Sequence, residues 1–118
     1  MEQMKDMNRF ELQAIRKYLF LDVSEAAECI GRVSNRAWQH WESGQRPIPE
    51  DVKIAMYKLL QEREPLIEKL KAADDREYKW YRKFEEYLVN NPDADKSDWR
   101  LYQSALAHLL VLDQIRIR

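Results

Sequence analysis

Apolar residues recur at Leu12, Ile15 and Leu19, a spacing that puts them on one helix face and predicts a first helix over about residues 9–20. The preceding residues 1–8 show no periodicity and are expected to be partly disordered. Asp22-Val-Ser-Glu25 has the capping-box spacing that opens a second helix, with Ala26, Ala27 and Ile30 facing inward and Gly31 ending it. Ser34 suits the N-cap of a third helix over about residues 35–43, closed by Gly44. Pro47-Ile-Pro49 is a rigid extended connection into a fourth helix from Glu50, whose stripe runs through Val52, Met56, Leu59 and Leu60. Pro65 lacks an amide hydrogen, so a kink or restart is expected there before the stripe resumes at Leu66, Ile67 and Leu70 and reaches about residue 73.

Beyond Asp74-Asp75 the pattern changes. Tyr78, Trp80 and Arg82 alternate with Glu77, Lys79 and Tyr81, which predicts one short strand near residues 77–82. A lone strand needs a partner, and the same strand of a second subunit would serve. Phe84, Tyr87 and Leu88 return to helical spacing, and Asn90-Asn-Pro92 ends that helix. Ser97 or Asp98 is expected to cap a last helix over about residues 99–113. Its apolar residues cover two faces, Trp99, Tyr102, Leu106 and Leu109 on one and Leu101, Ala105 and Leu112 on the other. A helix apolar on two sides needs two partners, here the chain's own core and a second protomer. The fold class is therefore mainly all-α.

Composition agrees: of 118 residues, 45% are hydrophobic and 35% charged, with only 2 Gly and 4 Pro, a helical globular balance rather than a disordered one. No apolar run is long enough for a membrane span, and no signal peptide is evident. The single cysteine, Cys29, reads as a small buried residue, and a reducing cytoplasm is the expected compartment. His40 and His108 stand apart without clustered Cys or carboxylates, so no metal is expected. Gly-rich phosphate loops, nucleophile motifs and paired catalytic carboxylates are also missing, so neither an enzyme nor a cofactor is expected.

The net charge of −1 argues weakly against a nucleic-acid partner, but placement changes the picture. Residues 32–46 hold Arg32, Arg36, Arg46 and His40 against one acid, Glu42. Asn35, Arg36, Gln39 and His40 share one side of the third helix and are types that bond base edges in a DNA major groove. Trp38 and Trp41, three residues apart, share another side and read as core residues that orient the helix. Ser34, Gln45 and Arg46 lie at the helix ends, where phosphates are usually held. At the second helix Asp22 and Glu25 would repel phosphate, and Arg32 is a candidate substitute contact.

Leu12, Ile15, Arg16, Leu21, Ala27 and Trp41-Glu-Ser-Gly44 resemble the lambda/434-type (XRE) helix-turn-helix domain across residues 11–49, with one extra residue in the turn at Arg32-Val33. A narrower resemblance covers nearly the whole chain. Glu11-Leu-Gln-Ala-Ile-Arg16, Ile30-Gly-Arg-Val-Ser34, Trp38-Gln-His-Trp-Glu-Ser-Gly44, Asn91-Pro-Asp93 and Trp99-Arg-Leu-Tyr-Gln-Ser104 are similar to the anti-CRISPR-associated (Aca-type) repressors and their YdiL-like relatives. Pro65 departs from that pattern.

The resemblance implies a lambda-repressor-like DNA-binding domain over residues 1–62 and a helical dimerisation region over 63–118. It implies a homodimeric transcriptional repressor that binds an inverted-repeat operator in double-stranded DNA and regulates its own operon. Asn35, Arg36, Gln39 and His40 would then contact bases, Arg32, Ser34, Gln45 and Arg46 phosphates, and Arg16 and Glu42 would form a buried ion pair that positions the reading helix. Tyr78, Trp80, Trp99, Tyr102, Leu106 and Leu109 are the expected dimer contacts. Two other readings remain open. One is an antitoxin-like regulator whose last helix or C-terminal Ile115-Arg-Ile-Arg118 binds a protein; the other is an RNA-binding translational regulator using the same basic helix.

Overall fold

The computed structural model describes residues 6–118. The expected disorder of residues 1–5 lies outside the described residues, while residues 6–8 are ordered: Met7 is buried and Asn8 caps the first helix. The fold is mainly helical. Helix α1 (Arg9–Tyr18) is followed by α2 (Val23–Ala26), whose end widens into a π-helical turn (Ala27–Gly31). A tight turn leads to α3 (Asn35–Ser43), and the Pro-Ile-Pro segment leads to the long α4 (Glu50–Ala72). Strand β1 (Glu77–Tyr78), helices α5 (Phe84–Asn90) and α6 (Lys96–Val111), and strand β2 (Arg116–Ile117) complete the order.

Two apolar clusters organise the chain. Leu12, Leu19, Leu21, Ala26, Ala27, Trp38, Trp41, Val52, Met56 and Leu59 form the first, which also takes in Leu101 of α6. Ile67, Leu70, Ala105, Leu106, Leu109 and Ile115 form the second. α4 passes unbroken through both, so no linker separates residues 1–62 from 63–118.

Of the expected kink or restart at Pro65, the restart is absent: the residue stands exposed inside α4. Buried positions continue on either side, at Leu59, Arg63, Ile67 and Leu70, and α4 packs against α6.

The last helix is capped by Asp95 rather than Ser97 or Asp98. The Asp95 carboxylate accepts from the Asp98 amide at 3.0 Å, and Ser97 Oγ donates to the same oxygen at 2.6 Å. Thus Asp95 is the N-cap and Asp98 the N3 member of a capping box, which starts the helix three residues earlier than expected.

The short strand exists only at Glu77–Tyr78, and its partner belongs to the same chain. β1 runs parallel to β2, pairing Glu77 with Arg116 and Tyr78 with Ile117. Both faces of α6 are also largely covered within the chain. Trp99, Leu101, Ala105, Leu106 and Leu109 are buried within the chain, so Trp99, Leu106 and Leu109 help hold the C-terminal half together. Tyr78, Trp80 and Tyr102 are half-buried, and Leu112, expected on an apolar face, is exposed.

The C-terminal segment is part of this packing. Ile115 is 2% exposed, and the chain is pinned by Arg118 N–H donating to Tyr78 C=O at 3.0 Å. Ile115→Ala should cost about 2–5 kcal/mol of stability through lost burial and a residual cavity. Urea unfolding measures this directly, and an unchanged midpoint would mean that the tail does not dock.

Candidate nucleic-acid interface

α3 is defined at both ends by its own sequence. Ser34 Oγ accepts the Ala37 amide at 3.1 Å, and Gly44 closes the helix at φ 83°, a left-handed angle that glycine adopts without strain. Arg9 of α1 folds over Gly44, its Nη1 donating to the Ser43 carbonyl at 2.7 Å. A cation thereby meets the negative end of the helix dipole and an otherwise orphaned acceptor.

Gly31 ends the helix as expected, but not through a left-handed angle. The left-handed residue is Arg32, at φ 54°. A Cβ on Gly31 would lie 3.1 Å from the Trp41 ring and 3.2 Å from the Trp38 ring, so glycine is present because the end of α2 approaches the tryptophans closely. The segment before α3 is a π-helical turn, whose Ala27 carbonyl accepts the Arg32 amide and, at 3.0 Å, the Val33 amide.

The back of α3 is built from Trp38 and Trp41, both buried and meeting edge to face with centroids 5.3 Å apart. Beside them is Glu42, whose side chain is 8% exposed. Arg16 donates from Nε to Glu42 Oε2 at 2.6 Å and from Nη2 to Oε1 at 3.1 Å. Trp38 Nε1 donates to Oε2, and Gln13 Nε2 to Oε1 at 3.3 Å. The remaining Arg16 donor, Nη1, reaches the Leu21 carbonyl at 2.9 Å, so the pair spans α1, the loop after it and α3. Burial pushes the Glu42 carboxyl up, but the hydrogen bonds from Arg16 and Trp38 and the Arg16 charge outweigh it and leave the group below its ordinary value.

The front of α3 is different. Asn35, Arg36 and Gln39 are exposed, and their side chains make no hydrogen bond or ion pair among the described residues; His40 beside them is half-buried. Arg32 lies before the N-terminal end, Gln45 and Arg46 follow the C-terminal end, and all three are exposed. Ser34 is exposed too, with its hydroxyl engaged in capping. Because Glu42 is spent internally on Arg16, the accessible charge from Arg32 to Arg46 is entirely positive. Of the two acids at the start of α2, Asp22 is exposed and accepts the Glu25 amide at 2.7 Å as the N-cap. Glu25 caps that helix while its carboxylate is gripped by Arg100 of α6 at 2.9 and 3.0 Å, so its charge is neutralised rather than aimed outward. A row of free donors and acceptors flanked by cations suits a polyanion with hydrogen-bonding edges.

Cys29 is half-buried and its thiol is pushed up by burial, the reverse of an activated thiolate. Among the described residues no His, Cys, Asp and Glu grouping could hold a metal ion, and no helix is long and apolar enough to cross a membrane.

Two structural residues escaped the sequence reading. Arg63 is buried and donates to Ser104 Oγ, the Ser104 carbonyl and Tyr18 Oη. Its signal was a charge at a stripe position, four residues from both Leu59 and Ile67. Arg100 carried no comparable local signal, because its partner Glu25 lies 75 residues away.

Fold and site together define a small helical protein that presents one short polar helix on a rigid, internally neutralised base. The model of the family described as Aca2/YdiL-like matches residues 7–117. The Aca2 repressor of Pectobacterium phage ZF40 is 50% identical over 108 residues, covering 86% of this chain and 90% of that protein. The uncharacterized protein YdiL of Escherichia coli (strain K12) is 28% identical over 117 residues, 94% of this chain and 99% of that protein. The chain belongs to the Aca2/YdiL-like family.

Glu42→Gln should strand Arg16 and cost about 3–5 kcal/mol. The pH dependence has a definite sign. A carboxyl whose folded pKa is lowered contributes stability above its unfolded value, about 4.3, and loses it as pH falls through the lower folded value. Wild type should therefore lose melting temperature more steeply than Glu42→Gln between about pH 5 and 2. Parallel melting curves for the two proteins would contradict the ion pair's role.

Proposed function

We propose that this protein is a homodimeric transcriptional repressor that reads an inverted-repeat operator in double-stranded DNA. The observation that carries the reading is the free polar front of α3, Asn35, Arg36 and Gln39, fixed from behind by Arg16, Trp38 and Glu42. In this reading α2, the turn and α3 act as a helix-turn-helix, with α3 in the major groove. Arg36 bonds a guanine edge, Asn35 or Gln39 an adenine edge, and His40 adds a contact at the half-buried side. Arg32, Ser34, Gln45 and Arg46 hold phosphates on either side and set the register. A relative named as a repressor, half of whose aligned residues are identical, supports the regulatory role. Repression follows when the operator overlaps a promoter, and binding to the promoter of its own operon makes the circuit a negative feedback on concentration.

The dimer places two copies of α3 about 34–36 Å apart, one helical turn of DNA, or a multiple of it. Its surface is not Leu106 or Leu109, which the chain covers itself. Leu110, Val111 and Leu112 offer a consecutive apolar ridge at the end of α6, with Val111 78% exposed. We assign the subunit contact to this ridge, with the half-buried Tyr78, Trp80 and Tyr102 as its neighbours.

Two measurements test these assignments. In gel-shift titrations on the gene's own upstream DNA, Arg36→Ala should lose about 1–3 kcal/mol on the specific site and relax one base position. Unchanged affinity and base preference would remove base reading by α3. In sedimentation, Val111→Asp should shift the dimer toward monomer while the melting temperature changes little; a dimer that survives would place the contact elsewhere.

A further inference from the structure

The covalent connection between the α1–α3 unit and the C-terminal half is α4, which carries Pro65 in its interior. Proline cannot donate the backbone hydrogen bond expected at that position, so the helix is weakest near the joint. Leu101 and Leu66 pack across the same joint, but apolar contact is non-directional and fixes no angle.

Besides an exposed Lys96–Glu28 pair at 3.5 Å, directional contacts cross there at two places. Arg63 sits inside the joint, with Nε donating to Ser104 Oγ of α6 at 3.1 Å, Nη2 to the Ser104 carbonyl at 3.2 Å and Nη1 to Tyr18 Oη of α1 at 2.7 Å. The Arg63 guanidinium also lies 4.4 Å from the centre of the Tyr18 ring. The second place is α2, where buried Glu25 takes Arg100 Nε on both carboxylate oxygens. Arg100 is itself pre-oriented: it lies 4.0 Å from the Trp99 ring centre and donates to Gln103 Oε1 at 2.8 Å. Trp99 and Gln103 in turn both donate to the Tyr81 carbonyl. One tie holds α1 and the other holds α2, the two helices on which α3 rests, and both end on α6.

We propose that these ties, Arg63 with Tyr18 and Ser104 and Arg100 with Glu25, set the angle between α3 and the C-terminal half and thereby the half-site spacing the protein accepts. Their residues are positioning residues and touch no base. A dimer joined through the C-terminal halves projects its two reading helices along fixed directions only if this joint is stiff. Loosening it leaves each α3 intact while blurring the distance between them. The spacing part of this inference rests on the operator reading above; the stiffness part does not.

The test therefore has two arms. Glu25→Gln keeps a capping-box side chain while removing the charge that Arg100 grips. Tyr18→Phe keeps the ring and removes the hydroxyl that accepts from Arg63. In the first arm, spin labels at Ala14→Cys and Glu85→Cys in a Cys29→Ser background report the distance across the joint, with labelled chain diluted into unlabelled chain. Both variants should broaden that distance distribution, and an unchanged width in both would overturn the proposal. In the second arm, operators with half-sites moved by one or two base pairs are titrated. Wild type should discriminate among them, and each variant should lose about tenfold of that discrimination, the size of one charge-assisted hydrogen bond, with base preference unchanged. Broadened distances with unaltered spacing discrimination would overturn the link to the operator. If wild type binds none of these DNAs specifically while the distances broaden, the operator reading fails and the stiffening role stands.

Discussion

The Glu42 carboxylate receives donors from two helices, and the orientation of α3 depends on it. A carboxylate this deeply buried carries a large desolvation cost, which Arg16, Trp38 and Gln13 offset with four hydrogen bonds. An apolar pair of similar volume could match the stability, yet it would leave α3 freer to roll about its axis. Rolling is what the front cannot tolerate, because neighbouring residues on a helix point about 100° apart and a partial turn would replace Arg36 with Ala37 at the same surface. The ion pair also removes the one acid between Arg32 and Arg46 from solvent. One contact thus orients the polar face and leaves its accessible charge wholly positive.

The same physical device recurs away from α3. Charged side chains enter the interior where elements from distant parts of the chain meet: Arg16 between α1 and α3, Glu25 between α2 and α6, and Arg63 among α1, α4 and α6. The apolar clusters supply bulk stability on either side of these crossings, and α4 and α6 run through both clusters. Burial drives the helices together, whereas the guanidinium geometries select one arrangement among the many that burial would allow.

The parts legible in the sequence were those governed by local chemistry. Asp22 and Glu25 form their capping box, Ser34 caps α3, Gly44 takes the left-handed angle, and the Trp38–Trp41 spacing points inward. Arg16 and Glu42 were legible through family resemblance, not through spacing, since 26 residues separate them. Three of the misses share one cause. β1 found its partner 39 residues downstream in β2, Trp99 and Leu106 found their cover within the chain, and Glu25 found Arg100. Periodicity reports that a face must be covered, but it does not say by what. Pro65 is the converse case, where a local signal for a restart was overridden and α4 runs on through it.

The turn before α3 shows how local and tertiary demands are reconciled. The length of the link between α2 and α3 sets how α3 lies against α1, and with it whether the Arg16–Glu42 pair can close. The last turn of α2 widens into a π turn, and Arg32 accepts a left-handed angle costing roughly 1–2 kcal/mol. The strain has a local return. It leaves Arg32 exposed just before the α3 N-terminus, and it brings Gly31 against the Trp38 and Trp41 rings. The contacts that orient α3 are kept, and the polar face gains a cation at its leading end.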